Sequence, residues 1–210
     1  MAEHIYWLKH APIERRALEI IGSGTDRDLG EHGVNHARSL AHSIKFLLET
    51  GGIEAPATKL YTSPLKRAVS TAEIIAATCE LDIEIMEHLT AQHFGALEGK
   101  TVTELERDPT LAQYLYGNIP LDERFSSRAP GGESQSDVFE RMSAARRMLW
   151  LAQENPIVIT HGSFLNTVIG SLLRLVPNDW DNQNFNYAGH VIDEQRWDMN
   201  TIELRSAHHE

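Results

Sequence analysis

The segments Ile5-Tyr6-Trp7-Leu8-Lys9-His10-Ala11 and Ile157-Val158-Ile159-Thr160-His161-Gly162 decide how this chain is read. Each is a short apolar run that ends in a histidine followed by a small residue. Apolar runs without alternation read as strands buried on both faces, as in the middle of a parallel sheet. In open α/β sheets, ligands bind in the crevice outside the carboxyl ends of the strands. His10 and His161 are therefore expected to project into one crevice, and two imidazoles there point to chemistry rather than packing.

Working outward, Ala37, Leu40, Ala41, Ile44, Leu47 and Leu48 recur at helical spacing over 31–50, and Gly51-Gly52 supplies a stop. A second strand is expected at 58–62, with Pro64 at the first position of a helix that runs to about Cys79. A third strand at 83–86 leads into an irregular stretch, 88–100, that holds two glycines. Residues 101–132 mix short helical pieces with Pro109, Pro120 and Pro130 and read as an insertion over the site. A helix over 133–154 carries Val138, Met142, Ala145 and Leu149 on one stripe. The strand at 156–160, a helix at 163–175 and two further strands at 187–192 and 196–204 complete the chain. This alternation predicts an α/β three-layer sandwich, a mostly parallel central sheet with helices on both faces, in one domain over residues 1–210.

Composition narrows the function classes. The net charge of −11 over 210 residues argues against nucleic-acid binding, which needs a basic surface. No apolar stretch is long enough to span a bilayer, and the start of the chain lacks the basic-then-apolar pattern of a secretory signal, so a cytoplasmic location is expected. A single cysteine, Cys79, excludes an intramolecular disulfide and a thiolate-rich metal site, and it reads as a helix-end core residue. The 11 histidines are scattered without ligand spacing, so neither a metal nor another cofactor is expected.

A phosphoryl group calls for a forked guanidinium and for backbone N–H groups at a helix N-terminus. Ser63-Pro64-Leu65-Lys66-Arg67 places Arg67 in the first turn of a helix that leaves a strand. Lys9 adjoins His10, and Gly162-Ser163 opens a helix directly after His161. Two cations, two imidazoles and helix N-termini thus converge on one sheet edge.

These motifs resemble the histidine phosphatase superfamily, in the branch of phosphoglycerate mutase-like proteins. Leu8-Lys9-His10-Ala11 is similar to the family's Leu-Arg-His-Gly, and 61–72 to its Ser-Pro-Leu-x-Arg-Ala-x-x-Thr-Ala segment. Phe94-Gly95 with Glu98-Gly99, then Pro130-Gly131-Gly132-Glu133-Ser134, then Thr160-His161-Gly162 match three further motifs in order, and 29–37 is a looser match to a segment opening the first helix. The resemblance implies a phosphohydrolase acting on a small phosphorylated metabolite. His10 would attack phosphorus and form a phosphohistidine, while Arg67, His161 and Lys9 hold the equatorial oxygens. A neutral His10, with its other ring nitrogen held by a backbone carbonyl, is required. Gly162, Ser163 and His93 are candidate substrate-binding residues, joined by Arg124 and Arg128, and with them Tyr114 and Tyr116, on the insertion.

Three positions depart from the family pattern. Lys9 replaces a bidentate arginine with a point charge. Ala11 replaces a glycine, which matters where the backbone needs positive φ or approaches the phosphate closely. Ala91 stands where the family carries the glutamate that protonates the leaving oxygen, so activity is expected to be altered or weak. Glu87, Glu98 and Glu133 are possible substitute acids, with Glu98 read as the start of a helix; His88 and His93 are possible donors. Two other readings follow: a degenerate member that binds a phosphorylated ligand or partner without turnover, and a phosphomutase.

Overall fold

Alternate residues of the first strand face two different cores, and for that reason its apolar run shows no polar period. The computed structural model describes residues 2, 4–14, 26–53, 59–152, 154–172, 190–193 and 202–203. Strand β1 (Tyr6–Lys9) turns Tyr6 and Leu8 toward one core; Ile5 and Trp7 face the other. The first core is closed by α1 (Glu31–Thr50) and α2 (Lys66–Cys79), through Leu40, Ile44, Ala68, Ala72 and Ile75. The second is closed by α5 (Gln135–Trp150) and α6 (Gly162–Leu172), through Met142, Leu149, Phe164 and Val168. This is the expected arrangement of helices on both faces of a sheet.

The remaining strands are β2 (Lys59–Thr62), β3 (Asp82–Ile85), β4 (Ile157–Thr160), β5 (His190–Asp193) and β6 (Ile202–Glu203). Their order is β3-β2-β4-β1-β5-β6. The first four are parallel, and β5 and β6 join antiparallel at one side. Strand β4 lies between β1 and β2, with Lys9 opposite Thr160 and Thr62 opposite Ile159. The residues that follow these strand ends, His10, His161 and Ser63, therefore stand side by side at one carboxyl edge. Backbone bonds extend the ladder past the strands, from His10 N–H to the Thr160 carbonyl (3.0 Å) and from Ser63 N–H to the Ile159 carbonyl (3.3 Å).

Two helices have bounds that differ from expectation. Helix α2 starts at Lys66, with Leu65 as N-cap and Pro64 in the preceding bend, so Pro64 is not the first helical residue. Asp26 accepts the Lys66 N–H (2.6 Å) and Asp28 accepts the Ser70 hydroxyl (2.5 Å), which places carboxylates where the helix dipole favours them. Helix α5 is shorter than the expected 133–154, because Ser134 and Asp137 form a capping box and Leu151 ends it. Glu133 is drawn out of that helix into an ion pair with Arg141. Helix α1 matches its expected bounds and ends on Gly51, whose φ of 77° suits glycine. Of the expected helix over 163–175, the last three residues lie outside those described, as do most of the segments expected as strands at 187–192 and 196–204. Cys79 ends α2 half-buried as expected, its thiol donating to the Ala41 carbonyl (3.6 Å), and burial pushes that thiol up to about 11.

Residues 101–132 hold α3 (Val102–Glu106), α4 (Pro109–Ala112) and a series of turns. Together with Leu97, they build a small third core through Leu105 and Ala129. No described helix is long and apolar enough to cross a membrane.

Candidate active site

His10 sits one residue past β1, and its Nδ1 lies 2.7 Å from the Ala11 carbonyl. A carbonyl only accepts, so Nδ1 carries the proton and Nε2 keeps its lone pair. Arg67 Nε donates to that same Nε2 at 3.3 Å, which fits this tautomer. The required backbone anchor is thus present, in the form nucleophilic attack by Nε2 needs.

His161 packs beside it, with ring centroids 5.0 Å apart. Its Nε2 lies 2.7 Å from Ser63 Oγ, while its Nδ1 is buried without a hydrogen-bond partner among the described residues. Burial, and after it the nearby His10, Arg67, Arg141 and Lys9, holds the His161 imidazole well below its ordinary value, so it is neutral. Arg67 is buried as well. Burial lowers its guanidinium from the ordinary value while Asp26 and Glu98 oppose that shift, and its NH1 has no partner among the described residues.

Lys9 Nζ lies 3.7 Å from where a Gly162 side chain would begin, so the ammonium stands at the N-terminus of α6. His10, Arg67 and His161 are therefore brought together, with Lys9 and Gly162 adjacent. Ala11 is buried, donates its N–H to Thr71 Oγ1 (3.0 Å), and does not need glycine's φ, since Glu80 is the only described non-glycine with positive φ. Thr71 in turn donates to the Arg67 carbonyl (2.7 Å), which ties the start of α2 to the His10 loop.

The other expected site residues lie around this cluster. Ser163 Oγ accepts the Gln92 N–H (3.3 Å), so it holds a neighbouring loop. His93 is exposed; its Nδ1 accepts the Gly95 N–H (3.1 Å), which leaves Nε2 as the protonated nitrogen. No hydrogen bond among the described residues joins it to His10, Arg67 or His161. Arg124 and Arg128 line a cleft together with Tyr114, apart from the histidines, and the side chain of Tyr116 lies outside the described part.

Two of the possible substitute acids are committed elsewhere. Glu98 does not start a helix: its Oε1 accepts the Phe94 N–H (2.8 Å) and closes the turn Gly95–Leu97, because the next helix begins only at Val102. Glu133 forms a two-pronged pair with Arg141, at 3.0 and 2.9 Å. Glu87 is exposed and His88 half-buried. Among the described residues no group of three or more His, Cys, Asp or Glu is placed to hold a metal ion.

Arg141 escaped sequence reasoning. Besides Glu133 it donates through NH1 to the carbonyls of His88 and Thr90, both at 2.7 Å, and it lies over the Phe164 ring. Thr160 Oγ1 donates to the Leu89 carbonyl (2.7 Å), so the loop that carries Ala91 is pinned from two sides. The glycines of two motifs meet at the loop's far end: a Cβ on Gly95 would stand 2.3 Å from the Pro130 carbonyl oxygen. A usable signal was present, since Arg141 falls at i+3 from Val138 and i−4 from Ala145, on a buried stripe where a charge needs partners. Arg141→Met is expected to lower kcat by about 10- to 100-fold through misplacement of that loop. Lysine should not rescue it, because an ammonium cannot reproduce the fork. Loss of the Arg141 charge should also raise the His161 titration, followed by imidazole NMR; an unmoved titration would leave Arg141 a purely structural role.

A stability test follows from the neutral His161. The unfolded chain binds a proton there below about pH 6.5 while the fold does not, so stability is unaffected above that pH and falls as pH drops. Urea midpoints compared between wild type and His161→Gln should show the variant losing less, by up to about 1.4 kcal/mol per pH unit. Parallel curves would mean that His161 charges within the fold.

The profile of the histidine phosphatase superfamily (branch 1) matches residues 5–205. A probable phosphoglycerate mutase GpmB of Photorhabdus laumondii is 30% identical over 174 residues, 81% of this chain and 75% of that protein. Among solved structures, a mycobacterial glucosyl-3-phosphoglycerate phosphatase in complex with inorganic phosphate is similar at TM-score 0.72 and 21% identity, covering 91% of this chain and 89% of that one. A phosphoserine phosphatase of Entamoeba histolytica in complex with 3-phosphoglyceric acid is similar at TM-score 0.68 and 23% identity, covering 90% and 89%.

Proposed function

This chain belongs to the histidine phosphatase superfamily, and from that premise we propose that it is a metal-independent phosphohydrolase of a small phosphorylated metabolite, working through a phosphohistidine on His10. The observation that carries the reading is the tautomer of His10: Nδ1 engaged by the Ala11 carbonyl, Nε2 presented beside Arg67. NH1 of Arg67 and Nδ1 of His161, buried without a hydrogen-bond partner among the described residues, support it, since a bound anion would engage groups that are otherwise costly to bury.

In the first step the Nε2 lone pair forms a P–N bond as the P–O bond to the leaving group breaks, and the leaving oxygen departs with the electron pair. Arg67, Lys9 and the N-terminus of α6 at Gly162 offset charge on the equatorial oxygens. In the second step water attacks phosphorus, the P–N bond breaks, and phosphate and a proton are released. Arg124 and Arg128 stand at the outer edge of the leaving group, and Ser163 and His93 support the loop beside it. The active site lies on a domain spanning the chain, with 101–132 as its cover.

With Ala91 at the acid position, the leaving group departs as an anion. Rates in the first step should therefore depend steeply on leaving-group pKa, with aryl phosphates and phosphoanhydrides such as acyl phosphates ahead of alkyl phosphates. A metal-free panel of phosphate compounds tests this, and equal kcat/KM across the panel would overturn it. A mutase returns the phosphoryl group to substrate and needs a positioned acid–base residue, so hydrolysis is the better fit.

A further inference from the structure

We infer that the leaving group carries a flat apolar body that seats in the cleft between the 92–97 loop and the cover segment, which narrows the substrate class to aryl phosphates; the inference rests on the phosphohydrolase reading above. The cleft walls include Phe94, Leu97, Tyr114, Leu115, Ile119 and Ala129. Most of these belong to the small third core, so its apolar surface continues outward as the cleft wall. The charged lining groups already have protein partners: Glu133 is paired with Arg141, Arg128 with Asp137 (3.1 Å), and Arg124 Nε donates to the Ile119 carbonyl (3.2 Å). What the cleft offers a ligand is therefore chiefly apolar and aromatic surface, with guanidinium planes at the rim that suit a π-face.

One residue links the cleft to the first turn of α6. Gln92 lines the cleft and also donates its N–H to Ser163 Oγ, in the first turn of α6 beside His161. Ala91, the residue before Gln92, stands where the family pattern has the glutamate that protonates a leaving oxygen. An aryl group resolves both features at once: its ring fills the apolar cleft, and its oxygen leaves as a phenolate that needs no protonation in the step where the P–O bond breaks. The phenolate takes its proton from water after release.

The test compares 2-naphthyl phosphate with acetyl phosphate, whose leaving group is better but carries no ring, on wild type, Leu115→Asp and Ile119→Asp. In wild type, naphthyl phosphate is expected to show a KM lower by about 10-fold or more. Either variant should raise that KM by about 10-fold while leaving acetyl phosphate turnover unchanged. Equal KM values in wild type, or variants that impair both substrates alike with unchanged thermal midpoints, would overturn the cleft assignment and leave the phosphohydrolase reading standing. Absence of turnover with both substrates would instead remove the phosphohydrolase reading. Calorimetry with naphthylmethylphosphonate against methylphosphonate then decides the cleft: tighter naphthyl binding that is lost in Leu115→Asp upholds it as a ring site, and equal binding overturns it.

Discussion

His10→Ala is expected to abolish turnover of every substrate, by roughly 10³-fold or more, and to remove the phosphoryl label that wild type acquires from a radiolabelled aryl phosphate. The size follows from the lack of a second nucleophile among the described residues. His161 is the imidazole packed against His10, yet its Nε2 is tied to Ser63 Oγ and its ring is buried. Ser63 is buried and follows β2, which β4 separates from the strand before His10. The label should be lost in acid and retained in base, as expected of a P–N bond to imidazole. Phosphate binding should survive, because Arg67, Lys9 and Gly162 are untouched and Arg67 Nε is released from His10. A variant that binds vanadate but neither labels nor turns over separates chemistry from binding. If wild type itself binds phosphate but never labels, the chain is a binding member of its family and the covalent mechanism is wrong.

Much of this site was legible from residue order because it depends on strand ends. The apolar runs before His10 and His161 specify buried parallel strands, and a parallel register then leaves no freedom about which edge the histidines share. Arg67 follows by the same logic from its place in the first turn after β2. What could not be read were contacts whose partners are far apart along the chain. Asp26 accepts the first N–H of α2 and Asp28 the Ser70 hydroxyl, each from some 40 residues away, and α2 begins past Pro64. The states of Glu98 and Glu133 depend on a turn and on a two-pronged bond to Arg141, contacts that residue type alone does not reveal. The effect of Ala11 was also out of reach, since it depended on a backbone angle, and that angle proved compatible with an L side chain. Arg141 lay in plain view on an apolar stripe, but only the fold shows that its partners are the His88 and Thr90 carbonyls just before Ala91.

Ala91→Glu is the change expected to alter specificity most. Positioned general acids contribute about 10²- to 10⁴-fold, so alkyl phosphates, which need their leaving oxygen protonated, should gain up to that factor while aryl phosphates change little. The loop is suited to carry an acid: the flanking His88 and Thr90 carbonyls are held by Arg141, and Gln92 is held by Ser163. Ala91 is itself buried, at 7% exposure, so a carboxyl introduced there meets two opposing influences. Burial disfavours its charged form, whereas the positive charges of Arg67 and Lys9 favour it. Because the acid must be protonated to work, alkyl-phosphate turnover in the variant should fall on the alkaline side of a new limb in its pH profile, a limb absent from wild type and from Ala91→Gln. Glutamine matches glutamate in size but cannot donate a proton to the leaving oxygen as an acid, so it separates proton donation from a change in packing. A gain shared by Ala91→Gln, or a gain without the new limb, would show that room at the leaving group rather than a proton limits the reaction. In the expected outcome, the methyl of Ala91 accounts for the selectivity of the pair His10 and Arg67: attack on phosphorus is fully equipped, and only a leaving group stable as an anion can complete it.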